Sequence, residues 1–349
     1  MKAKESYDHV FTSYKNDLKE LVKEKKILFK SPVGDLCSVN FDGTSELKLF
    51  DKKDYKYINS ASLSPDGSKT TIIVYDQNIK TSFLYILDIV NNTIIEVKNE
   101  KGRRSPINHM VWSPDSKKLL YSCREKGALW ITSTKEGNST MIGEGKTYKI
   151  IDGKSRKILN FYRYLNFLNS NDVLCISSSY YVHSLYYHQT NWISHGDLVI
   201  MNSDGNNKKN IISNTRIQNL ILLPFNKVVY QLNSCPCRAY ILDIASGIQE
   251  KLPIEEEIWL LTSSLDGKKV SYVVSKDYKN FDIYIMSVSN HQTYRLVKTV
   301  SAVSNFLTAL KFSSCGKKLV YSVNGGVYIV NIDGTNCKKI VEGQMFWQQ

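Results

Sequence analysis

The chain has 349 residues, 42% hydrophobic and 23% charged, a composition that places it with folded globular proteins and excludes a disordered chain. It contains no run of about 18 apolar residues, so no membrane-spanning helix is expected, and its net charge of +13 points to acidic partners or anionic surfaces. The seven cysteines are odd in number and sit mostly inside apolar strand patterns, which argues against a disulfide framework and for reduced thiols in a cytoplasmic protein.

The N-terminal stretch "MKAKESYDHVFTSYKND" is polar throughout and lacks the apolar core of a secretory signal. Within residues 1–26, Tyr7, Val10, Phe11, Tyr14, Leu18, Leu21 and Val22 recur at i, i+3, i+4 and i+7, which predicts a short amphipathic helix. Such a helix either packs on the rest of the protein or caps one end of it, or else serves partner binding or oligomerisation.

From Lys26 onward the chain repeats itself. "SLSPDGSKTTIIV" (Ser62–Val74) is echoed by "VWSPDSKKLLYS" (Val111–Ser122), then more weakly by "SLDGKKVSYVV" from Ser264 and "SSCGKKLVYSV" from Ser313. Degenerate copies lie at Phe167–Ser177 and Leu222–Leu232, where longer or irregular turns are expected. Each copy precedes a second strand pair: Leu84–Val97, Leu129–Ile142, Asp197–Ile212, Ala239–Leu252, Asp282–Leu296 and Gly326–Val341, with a further one at Gly34–Phe50. The two-residue alternation within these segments is that of strands, and Pro, Asp and Gly supply the turns. Four antiparallel strands per unit of roughly 45 residues, repeated along the chain, define an all-β propeller.

Seven strand sets against six clear inner strands predict seven blades, the missing inner strand coming from "QMFWQQ" (Gln344–Gln349) at the C-terminus. Residues 27–349 then form a single propeller closed by its two chain ends; a six-bladed ring with an extra N-terminal hairpin is the alternative. The "SPDGSK" and "WSPDSKKLLYS" turns and strand pairs such as "IYIMSVSNHQTYRLV" resemble the WD-like repeats of TolB-type β-propellers, over nearly the whole chain from Lys26 to Gly343. The resemblance implies the fold and a role in binding proteins.

Function is expected where the repeat breaks. Between the strand ending near Ser179 and the one starting at Asp197 lies "YYVHSLYYHQTNWISHG", Tyr180–Gly196, with four tyrosines, Trp192 and half of the six histidines. Its aromatic residues Tyr180, Tyr181, Tyr186, Tyr187 and Trp192 form a candidate binding surface, and His183, His188 and His195 are candidate metal ligands, although their spacing matches no tight zinc motif. The preceding connection, Glu144–Arg163, is read as a long basic loop on the same face, with Lys149, Arg156, Lys157 and Arg163 as candidate contacts. No P-loop, G-x-S-x-G or H-E-x-x-H motif occurs, "CPC" at Cys235–Cys237 lacks a second ligand pair, and no cofactor is implied.

The functional expectation is therefore a non-catalytic scaffold that binds a protein partner around residues 144–196. An anionic ligand, nucleic acid included, is a secondary possibility. The alternative is a carbohydrate-active or carbohydrate-binding propeller: oligogalacturonate lyases resemble this fold and use a His-bound divalent metal.

Overall fold

The computed structural model describes residues 27–50, 58–76, 81–88, 91, 93–99, 107–123, 127–151, 154–181, 196–275, 277, 279–301 and 307–346. The helix expected over residues 1–26 lies outside them.

Seven antiparallel sheets follow one another in chain order, each with strands A to D from the axis outward. Blade 2, for example, comprises Ile58–Leu63, Lys69–Asp76, Thr81–Asp88 and Thr93–Glu96, and blade 7 comprises Ala309–Phe312, Lys318–Val323, Gly326–Asn331 and Lys338–Glu342. Antiparallel pairing puts the A–B and C–D turns on one face of the ring and the B–C turns and D–A connections on the other.

Blade 1 takes its B, C and D strands from Ile27–Lys30, Leu36–Val39 and Leu47–Phe50. Its A strand is Gln344–Met345, with Phe29 opposite Met345 and Lys30 opposite Gln344. The ring is thus closed by the C-terminal strand, as the count of inner strands predicts.

The alternation of apolar residues follows from how blades stack. A blade sheet has two faces and each packs on a neighbour, so both must carry apolar side chains. The buried side chains accordingly fall into seven clusters, one at each junction between adjacent blades. Between blades 3 and 4, for instance, Leu120 and Leu129 meet Leu165, Phe167 and Val173. On the B–C strand pairs of blades 5, 6 and 7, tyrosines stand directly opposite one another and stack: Tyr230 on Tyr240, Tyr272 on Tyr284 and Tyr321 on Tyr328, with ring centroids 5.3–5.4 Å apart. Cross-strand aromatic pairs of this kind each add up to about 1 kcal/mol to a sheet.

The repeated A–B turn has one chemical logic. In blades 3 and 6 the buried serine donates its hydroxyl to the aspartate two residues on, at 2.6 Å for both Ser113–Asp115 and Ser264–Asp266. The same hydroxyl accepts the backbone N–H that opens strand B, from Lys118 at 2.8 Å and Lys269 at 2.9 Å. The serine hydroxyl, and after it the backbone N–H of Lys117 or Lys268, holds each carboxyl below the usual aspartate range. Blade 7 substitutes Cys315 for the aspartate, its Sγ lying 3.3 Å from the Ser313 hydroxyl. The degenerate copies use other means. In blade 4 Asn169 accepts the N–H groups of Asn171 and Asp172, and in blade 5 Phe225 and Asn226 both take positive φ, at 63° and 56°.

Neighbouring turns are also stitched across blades: the Trp112 indole N–H donates to the Ser62 carbonyl at 3.2 Å and the Asp66 N–H to the Ser116 hydroxyl at 3.2 Å. Lys98–Asn99 runs parallel to the outermost strand of blade 3 (Asn138–Gly143), covering an edge that would otherwise stay open.

Closure depends on one close approach. A Cβ on Gly343 would stand 2.5 Å from the Lys30 carbonyl oxygen and 2.7 Å from the Phe29 ring. Gly343→Ala is expected to lower stability by about 2–3 kcal/mol. Gly247→Ala, where φ is 73° but no atom lies within 4 Å, should cost only about 1 kcal/mol. Urea unfolding of the two variants beside the parent measures the difference.

Candidate functional site

Blade 4 departs most from the repeat. Its A strand, Lys154–Phe167, has 14 residues where that of blade 5, Ile217–Leu223, has 7, and its B strand runs from Asp172 to Tyr181. A fifth strand, Lys146–Ile151, pairs antiparallel with Lys154–Leu159. The segment read as a basic loop is therefore a β-hairpin, which corrects the expectation from sequence. Thr147, Tyr148, Ile150 and Ile151 before Asp152–Gly153, and Ile158 and Leu159 after it, favour strands, and the two segments pair their backbones instead of leaving them to solvent. The result is a three-stranded sheet continuous with blade 4 that rises from the B–C and D–A face.

The root of this sheet is fixed by backbone contact. The Asn160 N–H donates to the Gly145 carbonyl at 2.9 Å, and its side-chain amide donates to the Glu144 carbonyl at 2.9 Å. Gly127, in the B–C turn of blade 3 with φ 62°, lies so close that a Cβ there would fall 1.7 Å from the Asn160 carbonyl oxygen. Beside it the buried Tyr162 ring fills the space over Gly143, and burial pushes its phenol up to about 12. Below the root the strand bends: Tyr164 has φ 51°, and the register with strand B shifts between Arg163 and Asn166, a bulge that re-aims everything N-terminal to it.

The register brings several sequence-predicted positions together. Lys149 stands opposite Arg156 and Tyr148 opposite Lys157; further along the same strand, Ile158 pairs with Tyr181 and Leu159 with Tyr180. Lys149, Arg156, Lys157, Tyr180 and Tyr181 thus occupy neighbouring positions on three adjacent strands. Tyr186, Tyr187, Trp192, His183, His188 and His195 lie outside the described residues. Among the described residues no group of three or more His, Cys, Asp or Glu is placed to hold a metal ion. Cys235 and Cys237 are free thiols, and burial, followed by the Glu257 charge, raises that of Cys237.

Arg163 sits lower, at the bulge, apart from the other basic positions. Its guanidinium carbon lies 5.8 Å from the centre of the Tyr164 ring. It also acts on His109 of the neighbouring A strand, Ile107–Trp112: burial first, and the Arg163 charge second, lower the His109 imidazole to about 4. His109 is therefore neutral at neutral pH. Sequence reasoning passed over it, because a single histidine within "INHMVW" carries no signal until blade 4 is packed beside it.

No family model matches the chain, and no curated protein matches it by sequence. Solved structures do. TolB from Acinetobacter baumannii is 14% identical with a TM-score of 0.52, the match covering 91% of this chain and 80% of that one. An oligogalacturonate lyase from Vibrio parahaemolyticus is 12% identical with a TM-score of 0.59, covering 91% and 84%. A prolyl endopeptidase is 11% identical with a TM-score of 0.63 over 97% of this chain, which spans only 54% of that one. The molecule is thus a seven-bladed β-propeller of TolB-like fold. Identities this low establish architecture alone. No helix among the described residues is long and apolar enough to cross a membrane.

His109 gives the site a pH signature. Its folded value, about 4, lies below the unfolded value of 6.5, so between these limits the unfolded chain binds a proton that the folded chain refuses. Its contribution is present above pH 6.5 and lost as pH falls through 4, on the order of 3 kcal/mol in all. Stability measured from pH 7 to 4 should fall less steeply in His109→Gln than in the parent.

Proposed function

We propose that this propeller is a non-catalytic scaffold whose protein partner docks on the B–C and D–A face, with residues 144–196 of blade 4 as the principal contact. The observation that carries the reading is the projecting sheet, whose register sets Lys149, Arg156 and Tyr181 on one face and Lys157 and Tyr180 on the other, within three adjacent strands. The rest of the ring spends its residues on closing and stacking blades, whereas this sheet extends beyond those needs. Aromatic residues beside basic ones favour a partner with an acidic surface: tyrosines supply contact area, and the cations steer the encounter. The net charge of +13 acts in the same direction. The TolB-like fold is compatible with this role and contributes nothing to choosing the partner.

The test is affinity capture from the source cells on the parent chain and on a Lys149→Glu, Arg156→Glu, Lys157→Glu variant, followed by titration of the recovered protein against both. Affinity should fall by about tenfold or more in the variant and weaken with added salt in the parent. Lys268→Glu, an exposed change at the A–B turn of blade 6 on the opposite face, should bind like the parent. Equal binding by the triple variant, or a stoichiometric divalent metal in the purified protein together with turnover of an acidic polysaccharide, would overturn the scaffold reading.

A further inference from the structure

A cavity of about 450 Å³ opens at the axis among the A–B turns, on the face opposite the blade 4 sheet. Its wall is largely apolar and is drawn from five blades, through Leu63, Leu222, Leu265, Leu310, Phe312 and Phe346. At its rim the apolar surface continues outward. Leu265 is 67% exposed, and Phe225, next to the wall residue Pro224, is 86% exposed. Isolated exposed apolar residues need no explanation, but two that border an apolar cavity form one continuous surface of the kind that another apolar element covers.

The chain itself brings such an element to this place. Ile27 and Leu28, at the start of the described residues, belong to the cavity wall. Strand B of blade 1 begins there and runs away towards the opposite face, so residue 26 joins the ring on the A–B side. Only Lys23, Glu24, Lys25 and Lys26 separate that junction from Val22, the last residue of the apolar stripe Tyr7, Val10, Phe11, Tyr14, Leu18, Leu21 and Val22. Their spacing would put those seven on one face if residues 7–22 were helical, over a length of about 25 Å. A tether this short keeps the stripe at an effective concentration in the millimolar range, so even a weak intrinsic contact is largely occupied. The rim carries both signs of charge, Asp66 and Asp266 in turns that line the cavity and Lys311 in its wall, and the connection Lys23–Lys26 carries three lysines and one glutamate.

We propose that residues 7–22 fold back as a helix on the A–B face of the same chain and seat their apolar stripe in this mouth, capping the axial cavity. The cap occupies the end of the ring remote from residues 144–196, so it and the proposed partner bind independently.

The experiment uses the full chain with a benzophenone amino acid at Phe11. Irradiation followed by peptide mapping should give adducts within Leu222–Phe225, Thr262–Leu265 or Ala309–Ser314, in a yield independent of protein concentration. Leu265→Asp, a change at a largely exposed side chain, should reduce that yield about tenfold by placing a charge in the apolar seat while leaving the far-UV spectrum of the ring unchanged. Adducts on the B–C and D–A face, a yield that rises with concentration because a second copy is the acceptor, absence of ring adducts, or indifference to Leu265→Asp would each overturn the proposal.

Discussion

Two register pairs, Phe29 with Met345 and Lys30 with Gln344, hold the ring together. Every blade here is a thin sheet that must be covered on both faces, and every buried cluster is shared by two blades, so the seven junctions are satisfied only as a closed set. The closing strand contributes to two of them at once. Met345 belongs to the cluster between blades 7 and 1, and Phe346 to the one between blades 1 and 2. Without those two residues both faces of blade 1 would be short of an apolar partner. This is also why the C-terminal strand can be so short: it contributes by wedging between neighbours as well as by hydrogen bonding.

Around that constraint the protein divides into repeated and unrepeated parts. The serine of each recurrent A–B turn is buried because its hydroxyl has both a carboxylate to donate to and a backbone N–H to accept from. Its neighbours are free to vary, and in blade 7 even the carboxylate does. The stacked tyrosine pairs of blades 5, 6 and 7 perform a similar service on the B and C strands. Blade 4 keeps the packing positions Leu165, Phe167 and Val173 in the cluster it shares with blade 3 while its upper half builds the hairpin. Stability and elaboration are thus separated along a single strand.

Much of the ring could be read from sequence because its determinants are local. Alternation, Asp-Gly turns and a missing inner strand together predict seven blades and their closure by the C-terminus. The degenerate copies at Phe167 and Leu222 do turn irregularly, on Asn169 and on the positive φ of Phe225 and Asn226, but they are not longer: Leu168 closes on Asp172 where Ser113 closes on Lys118. The hairpin at Lys146–Leu159 is hidden in "KTYKIIDGKSRKIL" because the segments flanking Asp-Gly have no two-residue alternation and their lysines and arginine give the composition of a solvated loop. The bulge at Tyr164 and the effect of Arg163 on His109 had no such local signal. They arise where two strands from different blades are pressed together, which no periodicity encodes. Candidate contacts on the hairpin were therefore found as residue types, and their adjacency came only from the register.

The bulge at Tyr164 also has a mechanical meaning. The strand on its N-terminal side, from Lys154 to Arg163, is an arm of about 30 Å at the usual rise per residue. Its far end is braced by hydrogen bonds to Lys146–Ile151, and its near end is clamped between Gly127 and the bend. A stiff arm on an elbow amplifies: turning at Tyr164 by about 10° would sweep the hairpin tip through about 5 Å. An elbow at that place would turn a large displacement of the hairpin into a small one beside Arg163 and His109, at the inner wall of the ring.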